Sequence, residues 1–265
     1  MDRTTQQAHA ETFRALHRGT EPLVLFNVWD VASGVAVAKH YPAIATSSWA
    51  VAAAQGFADR EHFPFEEVLR YVGRLTAAVP LPVTVDLENG YGEAPEAAAK
   101  SVTAVIKAGA IGINLEDGQG QVTRSMAEPA RQAAKIKAVR AAAEAAGIKL
   151  FINARTDVFL QKPASLAAGL AEAERRGKVY AEAGADSLFV PGLADLSGIA
   201  DMVKRTTLPL NIMATNQVPE IPELAKIGVK RVSLGAWPFV AAMRVLGEAA
   251  AATAKTKLYG SYLKP

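Results

Sequence analysis

"KAGAIGINLE", residues 107–116, is the stretch on which the fold reading turns. An Ala- and Lys-rich helical pattern runs into Gly109, and a β-rich run follows almost at once. Glycine readily takes the left-handed backbone that ends a helix, so the stretch reads as helix, stop, strand. The same grammar returns in "AEAGADSLFV" (181–190) and "KIGVKRVSLG" (226–235). Working outward, strand candidates fall at 23–29, 43–48, 82–88, 112–116, 149–157, 187–192, 209–214 and 231–235. Helical patterns lie near 31–40, 65–78, 95–108, 128–146, 166–183, 195–205, 219–227 and 237–254. Strand–helix alternation eight times over in 265 residues predicts an α/β fold, a parallel (β/α)8 TIM-type barrel occupying 1–265 as one domain. A short amphipathic N-terminal helix is expected across one end. A doubly wound open sheet is the runner-up, weakened because no G-x-G-x-x-G follows the first strand.

Half of the residues are hydrophobic and 21% are charged, as in a globular protein with a large core. The sequence pI is near 9.0, yet the formal net charge is only +3, and Lys and Arg are scattered among acids. No basic run supports a nucleic-acid or anionic-membrane partner. The polar N-terminus lacks the apolar core of a signal peptide, and no apolar run approaches the roughly 18 residues of a membrane span, so a cytoplasmic protein is the default. With no Cys, disulfides and thiolate chemistry are excluded. His9, His17, His40 and His62 all lie in the first quarter and none ends a barrel strand, which excludes a His-rich zinc site. His9, His17 and His40 are expected at the surface, with His62 an outside candidate for the site.

Barrel enzymes of this kind work at the C-terminal ends of their strands. There the sequence puts Asn27, Trp29 and Asp30, then Ser47, Ser48 and Trp49, then Asp86 and Glu88. Asn114, Glu116 and Asp117 follow, then Asn153, Arg155 and Asp157, then Asn211, Met213 and Ser233. Bland roles exist for several: Asp30 and Asp117 as helix caps, Asn27 and Asn153 as partners of barrel backbone, Asp157 as the orienter of Arg155. Asp86, Glu88 and Glu116 are harder to dismiss, because acids near one axis repel unless a cation, a proton or an Arg intervenes. An oxygen-only donor set favours Mg²⁺, with Mn²⁺ the alternative. Arg155 adds a fork that matches a carboxylate, so the rim describes a pocket for a small, oxygen-rich acid.

"SSWAVAAAQGFADRE" (47–61), "VDLENGYG" (85–92), "GINLEDG" (112–118) and "NARTDVF" (153–159) resemble, in order and spacing, the isocitrate lyase / phosphoenolpyruvate mutase superfamily, over about residues 23–245. The resemblance implies an α-oxo acid, or the enolate formed from it, bound on Mg²⁺. It implies Asp86 as the principal metal-contacting carboxylate, with Asp59, Glu88 and Glu116 holding the metal's waters. It assigns Ser47, Ser48 and Trp49 to the loop that receives the substrate, and Arg155 to the arginine that reaches it. It also implies a homo-oligomer, dimer or tetramer, with the last helix exchanged between subunits.

Departures narrow the chemistry. Where the isocitrate and methylisocitrate lyases carry K-[KR]-C-G-[HN], this chain has "GQGQVTRSMAEPA" (118–130), without Cys, His or Lys. At 190–191 it has Val-Pro where the mutases carry a His. The closest match is therefore a Cys-less subgroup. The leading expectation is a Mg²⁺-dependent lyase acting on a small α-oxo or 2-hydroxy (di)carboxylic acid through an enolate, with oxaloacetate decarboxylation as one concrete candidate. The alternatives are a hydrolase of C–C or C–P bonds, such as a phosphonopyruvate hydrolase-like enzyme, and a non-catalytic α-oxo acid binder. Loop 118–127 is read as a lid that could deliver Thr123, Arg124 or Ser125, and the Tyr91 hydroxyl or a metal-held water as the base. Asn211, Met213, Trp49, Val190 and Pro191 are expected to shape the part of the pocket around the substrate's side chain.

Overall fold

The computed structural model describes residues 2–121 and 125–259. Helix α1 (Arg3–Leu16) leads into β1 (Leu23–Leu25), α2 (Val31–Val37), β2 (Ile44–Ala45), α3 (Ser48–Ala54) and α4 (Phe65–Ala78). Then come β3 (Val83–Asp86), α5 (Pro95–Lys107), β4 (Gly112–Glu116), the hairpin strands β5 (Gly118–Gln119) and β6 (Ser125–Met126), and α6 (Pro129–Ala145). The rest is β7 (Phe151–Arg155), α7 (Leu166–Glu182), β8 (Ser187–Phe189), α8 (Leu196–Arg205), β9 (Leu210–Met213), α9 (Ile221–Lys226), β10 (Arg231–Ser233) and α10 (Trp237–Thr256).

Eight of these strands form one parallel sheet in the order β1-β10-β9-β8-β7-β4-β3-β2. A parallel bridge between Val28 and Thr46 joins the two ends, so the sheet curls into a (β/α)8 TIM-type barrel. The glycines that end the incoming helices do so as expected: Gly109, Gly184 and Gly228 have φ of 101°, 100° and 93°. Strands buried on both faces read as continuous apolar runs, and β4 is buried along its whole length. No helix among the described residues is long and apolar enough to cross a membrane.

Helix α1 closes the N-terminal end of the barrel. Its N-cap Asp2 accepts from the Thr5 N–H. Gln6 Nε2 donates to the carbonyls of Ile106 (2.8 Å) and Ala110 (2.9 Å). Phe13 and His17 pack on Phe151, the His17 ring stacked at 4.1 Å. His17 is thus not at the surface, as its place on a polar helix suggested. It is buried, and burial together with nearby Arg231 lowers its pKa to about 3. With this end plugged, the opposite rim is the open one.

Two further differences from the sequence reading concern that rim. Strand β2 stops at Ala45, and "SWAVAAA" is helix α3, capped by the Ser47 side chain, so Trp49 sits on a helix rather than a loop. The proposed lid begins and ends as a short antiparallel hairpin, Gly118 opposite Met126 and Gln119 opposite Ser125.

Candidate active site

Two adjoining clefts open at the C-terminal rim. One, of about 560 Å³, is lined by residues including Ser47, Ser48, Trp49, Asp59, Asp86 and Arg155. The other, of about 380 Å³, lies under the hairpin and is lined by Glu61, Glu88, Glu116 and Gly118–Gln121, with Arg60 shared between the two.

Asp86 ends β3 and is held on both oxygens. Ser48 donates to Oδ2 through its hydroxyl (2.7 Å) and its backbone N–H (3.1 Å), while Asn114 Nδ2 donates to Oδ1 (3.2 Å). Asn114 is itself fixed from below by Asn153 (2.8 Å) and Arg231 (3.2 Å). The aim of Asp86 is therefore set by neighbouring strands rather than by its own rotamer.

Glu88 sits one turn further on, at φ 52°. Its Oε2 accepts from the Glu61 N–H (2.8 Å), and the Tyr91 hydroxyl approaches Oε1 at 3.4 Å. Glu61 in turn accepts from the Tyr91 N–H (2.6 Å). Arg60, Glu61, Glu88 and Tyr91 all carry positive φ, a conformation that costs a non-glycine residue about 1–2 kcal/mol each. Such strain concentrated on two facing loops marks a site held for function. Burial, then the nearby Asp59 and Asp86 charges, push the Glu88 carboxyl up to about 8.

Glu116 ends β4, opposite Arg155 on β7. Arg155 pairs with Glu116 Oε2 (2.6 Å) and, through Nε and Nη2, with Asp157 (2.7 and 3.2 Å). Burial raises the Glu116 carboxyl, with Arg155 opposing. Arg155 stays firmly cationic: burial opposes its charge, but Glu116 and Asp157 outweigh it. Three of its five N–H donors face these acids, leaving a fork partly available to a ligand.

Asp59, Asp86, Glu88, Glu116 and Asp157 thus face Arg60 and Arg155, an excess of negative charge on oxygen donors alone. That donor set fits a hard divalent cation. Among the described residues no three His, Cys, Asp or Glu side chains converge as a ready-made cage.

The remaining expected residues are placed as follows. Asp30 caps α2. Asn27 Nδ2 donates to the Thr46 carbonyl. Asn211 is fully buried, bonded to Ser233 below the cleft, and Val190 is equally buried; Leu160, Phe189 and Trp237 line the wall instead. His62 lies exposed against the Asp59 carbonyl. Thr123 and Arg124 lie outside the described residues. Asp117 is no helix cap: it accepts from Arg176 (2.9 Å), Tyr180 (2.7 Å) and the Asp157 N–H (2.9 Å). Sequence reasoning passed over Glu61, although it stands inside a quoted motif, and gave Asn114 a place on the rim without its role of holding Asp86.

Fold and rim together define a barrel with an acid-rich cleft, and a buried arginine in it, at the C-terminal ends of its strands. The family model described as phosphoenolpyruvate phosphomutase matches residues 13–254, and the chain belongs to that family, within the isocitrate lyase / phosphoenolpyruvate mutase superfamily. It is a lyase/mutase-type enzyme. The crystal structure of a putative phosphonomutase from Burkholderia cenocepacia J2315 superposes with a TM-score of 0.89 at 43% identity, covering 96% of this chain and all (100%) of that one. The uncharacterized protein Rv1998c of Mycobacterium tuberculosis is 32% identical over 243 residues, 91% of this chain and 88% of its own. A 2-methylisocitrate lyase of Bacillus subtilis is 28% identical over 214 residues, 78% of this chain and 67% of its own.

Proposed function

We propose that this chain is a Mg²⁺-dependent carbon–carbon lyase acting on a small α-oxo or 2-hydroxy acid. The observation that carries the reading is the placement of Asp86, Asp59 and Arg155 in one cleft, with Glu88 and Glu116 behind them. Asp86 would hold the cation directly, while Asp59, Glu88 and Glu116 would hold its waters. Bound there, Mg²⁺ supplies a Lewis acid for the 2-oxo group. The chain's own residues bind, orient and move protons. Ser48 keeps Asp86 aimed, and Ser47, Ser48 and Trp49 form the wall that receives the substrate's carboxylate end. Arg155 offers its remaining N–H groups to a carboxylate oxygen. The Tyr91 hydroxyl is in reach of Glu88 Oε1 (3.4 Å), so the pair forms a route for the proton that the C3 carbon must gain after cleavage.

The exposed apolar side chains of α10, among them Met243, Val245 and Leu246, support a homo-oligomer in which a second copy of this chain covers that helix.

Turnover of a panel of α-oxo and 2-hydroxy acids, oxaloacetate included, in ¹⁸O-labelled water tests the reaction class. A lyase releases an aldehyde, ketone or CO₂ and fixes no solvent oxygen in a new carboxylate or phosphate group. Label in the released acid or phosphate would instead identify a hydrolase, and Mg²⁺-dependent binding without conversion would identify a binding protein.

A further inference from the structure

The walls of the 560 Å³ cleft divide by strand. The consecutive arc β2–β3–β4–β7 contributes Ser48, Asp86, Asn114 and Arg155, and Asp59 and Arg60 follow β2. The next arc, β8–β9–β10, contributes Phe189, Met213 and the segment Gly235–Trp237, and the turn after β7 adds Leu160. The polar side chains on that side are already engaged: the Ser233 hydroxyl with Asn211 (3.3 Å) and Arg231 (3.3 Å) at the floor, and Asn27, beyond the end of β1, with the Thr46 carbonyl (2.8 Å) and the Gly235 N–H (2.9 Å). Among the described residues lining this second arc there is no cation.

The apolar wall is built in rather than incidental. Leu160 lies against the backbone of Gly192, where an added Cβ would come within 3.0 Å of its Cδ2. Met213 lies against Gly235, where an added Cβ would come within 3.2 Å of Sδ. Phe189 is 4% exposed, so its ring is fixed by packing. An acid whose carboxylate and oxo group occupy the polar arc projects its C3 substituent toward the opposite arc. A charged substituent placed there would lose water with no cation among the described residues of that arc to pair with it.

We infer that the C3 substituent this site accepts is uncharged and mainly apolar, an alkyl-bearing hydroxylated carbon that departs as an aldehyde or ketone while the bonding electron pair stays on C3 and its hydroxyl proton is lost, and that Leu160, Phe189 and Met213 select it. The inference rests on the α-oxo acid reading above and narrows it: carboxylate- and phosphonate-bearing substituents are disfavoured. The oxo group and C1 carboxylate would be read by the polar arc in every substrate, and the apolar arc would discriminate among them.

Calorimetric titration with Mg²⁺ present, using pyruvate, 2-oxobutyrate, 3-methyl-2-oxobutyrate and oxaloacetate, tests it. Affinity should rise about three- to four-fold for each added methyl group, from the transfer free energy of one buried carbon. Oxaloacetate should bind no more tightly than pyruvate. Leu160→Lys, in a half-buried turn, should shift the preference toward oxaloacetate relative to 3-methyl-2-oxobutyrate by about ten-fold or more, as a partly desolvated charge pair would. Tighter binding of oxaloacetate than of 2-oxobutyrate by the unmodified protein, or a flat response along the methyl series, would overturn the inference while leaving the α-oxo acid reading standing. Failure of pyruvate itself to bind with Mg²⁺ would bring down both. The unmodified protein's series decides the matter even if the Leu160→Lys chain does not fold.

Discussion

Asp117 and Glu88 are buried carboxylates at the ends of neighbouring barrel strands, and their surroundings could hardly differ more. Asp117 is met by Arg176, the Tyr180 hydroxyl and the Asp157 N–H, and burial, which raises its pKa, is opposed by each of them. Arg176 is equally well placed, donating also to the Ala127 carbonyl (2.8 Å) and pairing with Glu172 (2.7 Å). This node ties β4, β7, α7 and the base of the hairpin together. Glu88 instead has one backbone N–H and a distant phenol, while Asp59 and Asp86 repel its charge. One acid is satisfied by the fold; the other is opposed by the charges around it. Burial alone therefore does not tell a structural carboxylate from a functional one, whereas the sign of its charged neighbours does.

That contrast can be broken from either side. Arg176→Met removes the cation from a closed node and leaves Asp117 buried, so it should cost about 3–5 kcal/mol of stability, read by denaturant unfolding. A loss below about 1 kcal/mol would show that the node is not the anchor described here.

Glu88→Gln should have a smaller effect, and one that depends on pH. In the metal-free protein the folded-state pKa of Glu88 is about 8, above the ordinary 4.5. Between those values the folded chain keeps a proton that the unfolded chain releases, so stability falls as pH rises from about 4.5 to about 8, with the full penalty above that. Melting in EDTA should show this slope in the unmodified protein and a flatter profile in Glu88→Gln. Added Mg²⁺ should restore more stability at pH 8 than at pH 5. Parallel profiles for the two proteins would place Glu88 outside the charge cluster.

The barrel was legible in the sequence because its cues are local. Helix-ending glycines such as Gly109 and apolar strand runs recur, and the eight helical patterns match the observed helices to within a few residues. The acids were legible because charges at strand ends are conspicuous. Helix α3 was missed although Ser47 before an Ala-rich run is a capping signal, because the run was read as the loop after the second strand. The role of Asp117 was hidden, since Arg176 and Tyr180 stand 59 and 63 residues away in sequence. The apolar arc was hidden for a different reason: Phe189 and Leu160 look like any core residues until the rim is assembled.

If the acid rim and a bound Mg²⁺ stabilise negative charge on an α-oxo acid, as proposed, that step is measurable without knowing which bond the enzyme breaks. Exchange of the pyruvate methyl protons with D₂O, followed by proton NMR, reports that step alone. Exchange is expected with the unmodified protein and Mg²⁺, none above background in EDTA, and a loss of about 10²-fold or more in Asp86→Ala with the barrel still folded. No exchange with Mg²⁺, or exchange indifferent to both EDTA and Asp86→Ala, would contradict the proposal.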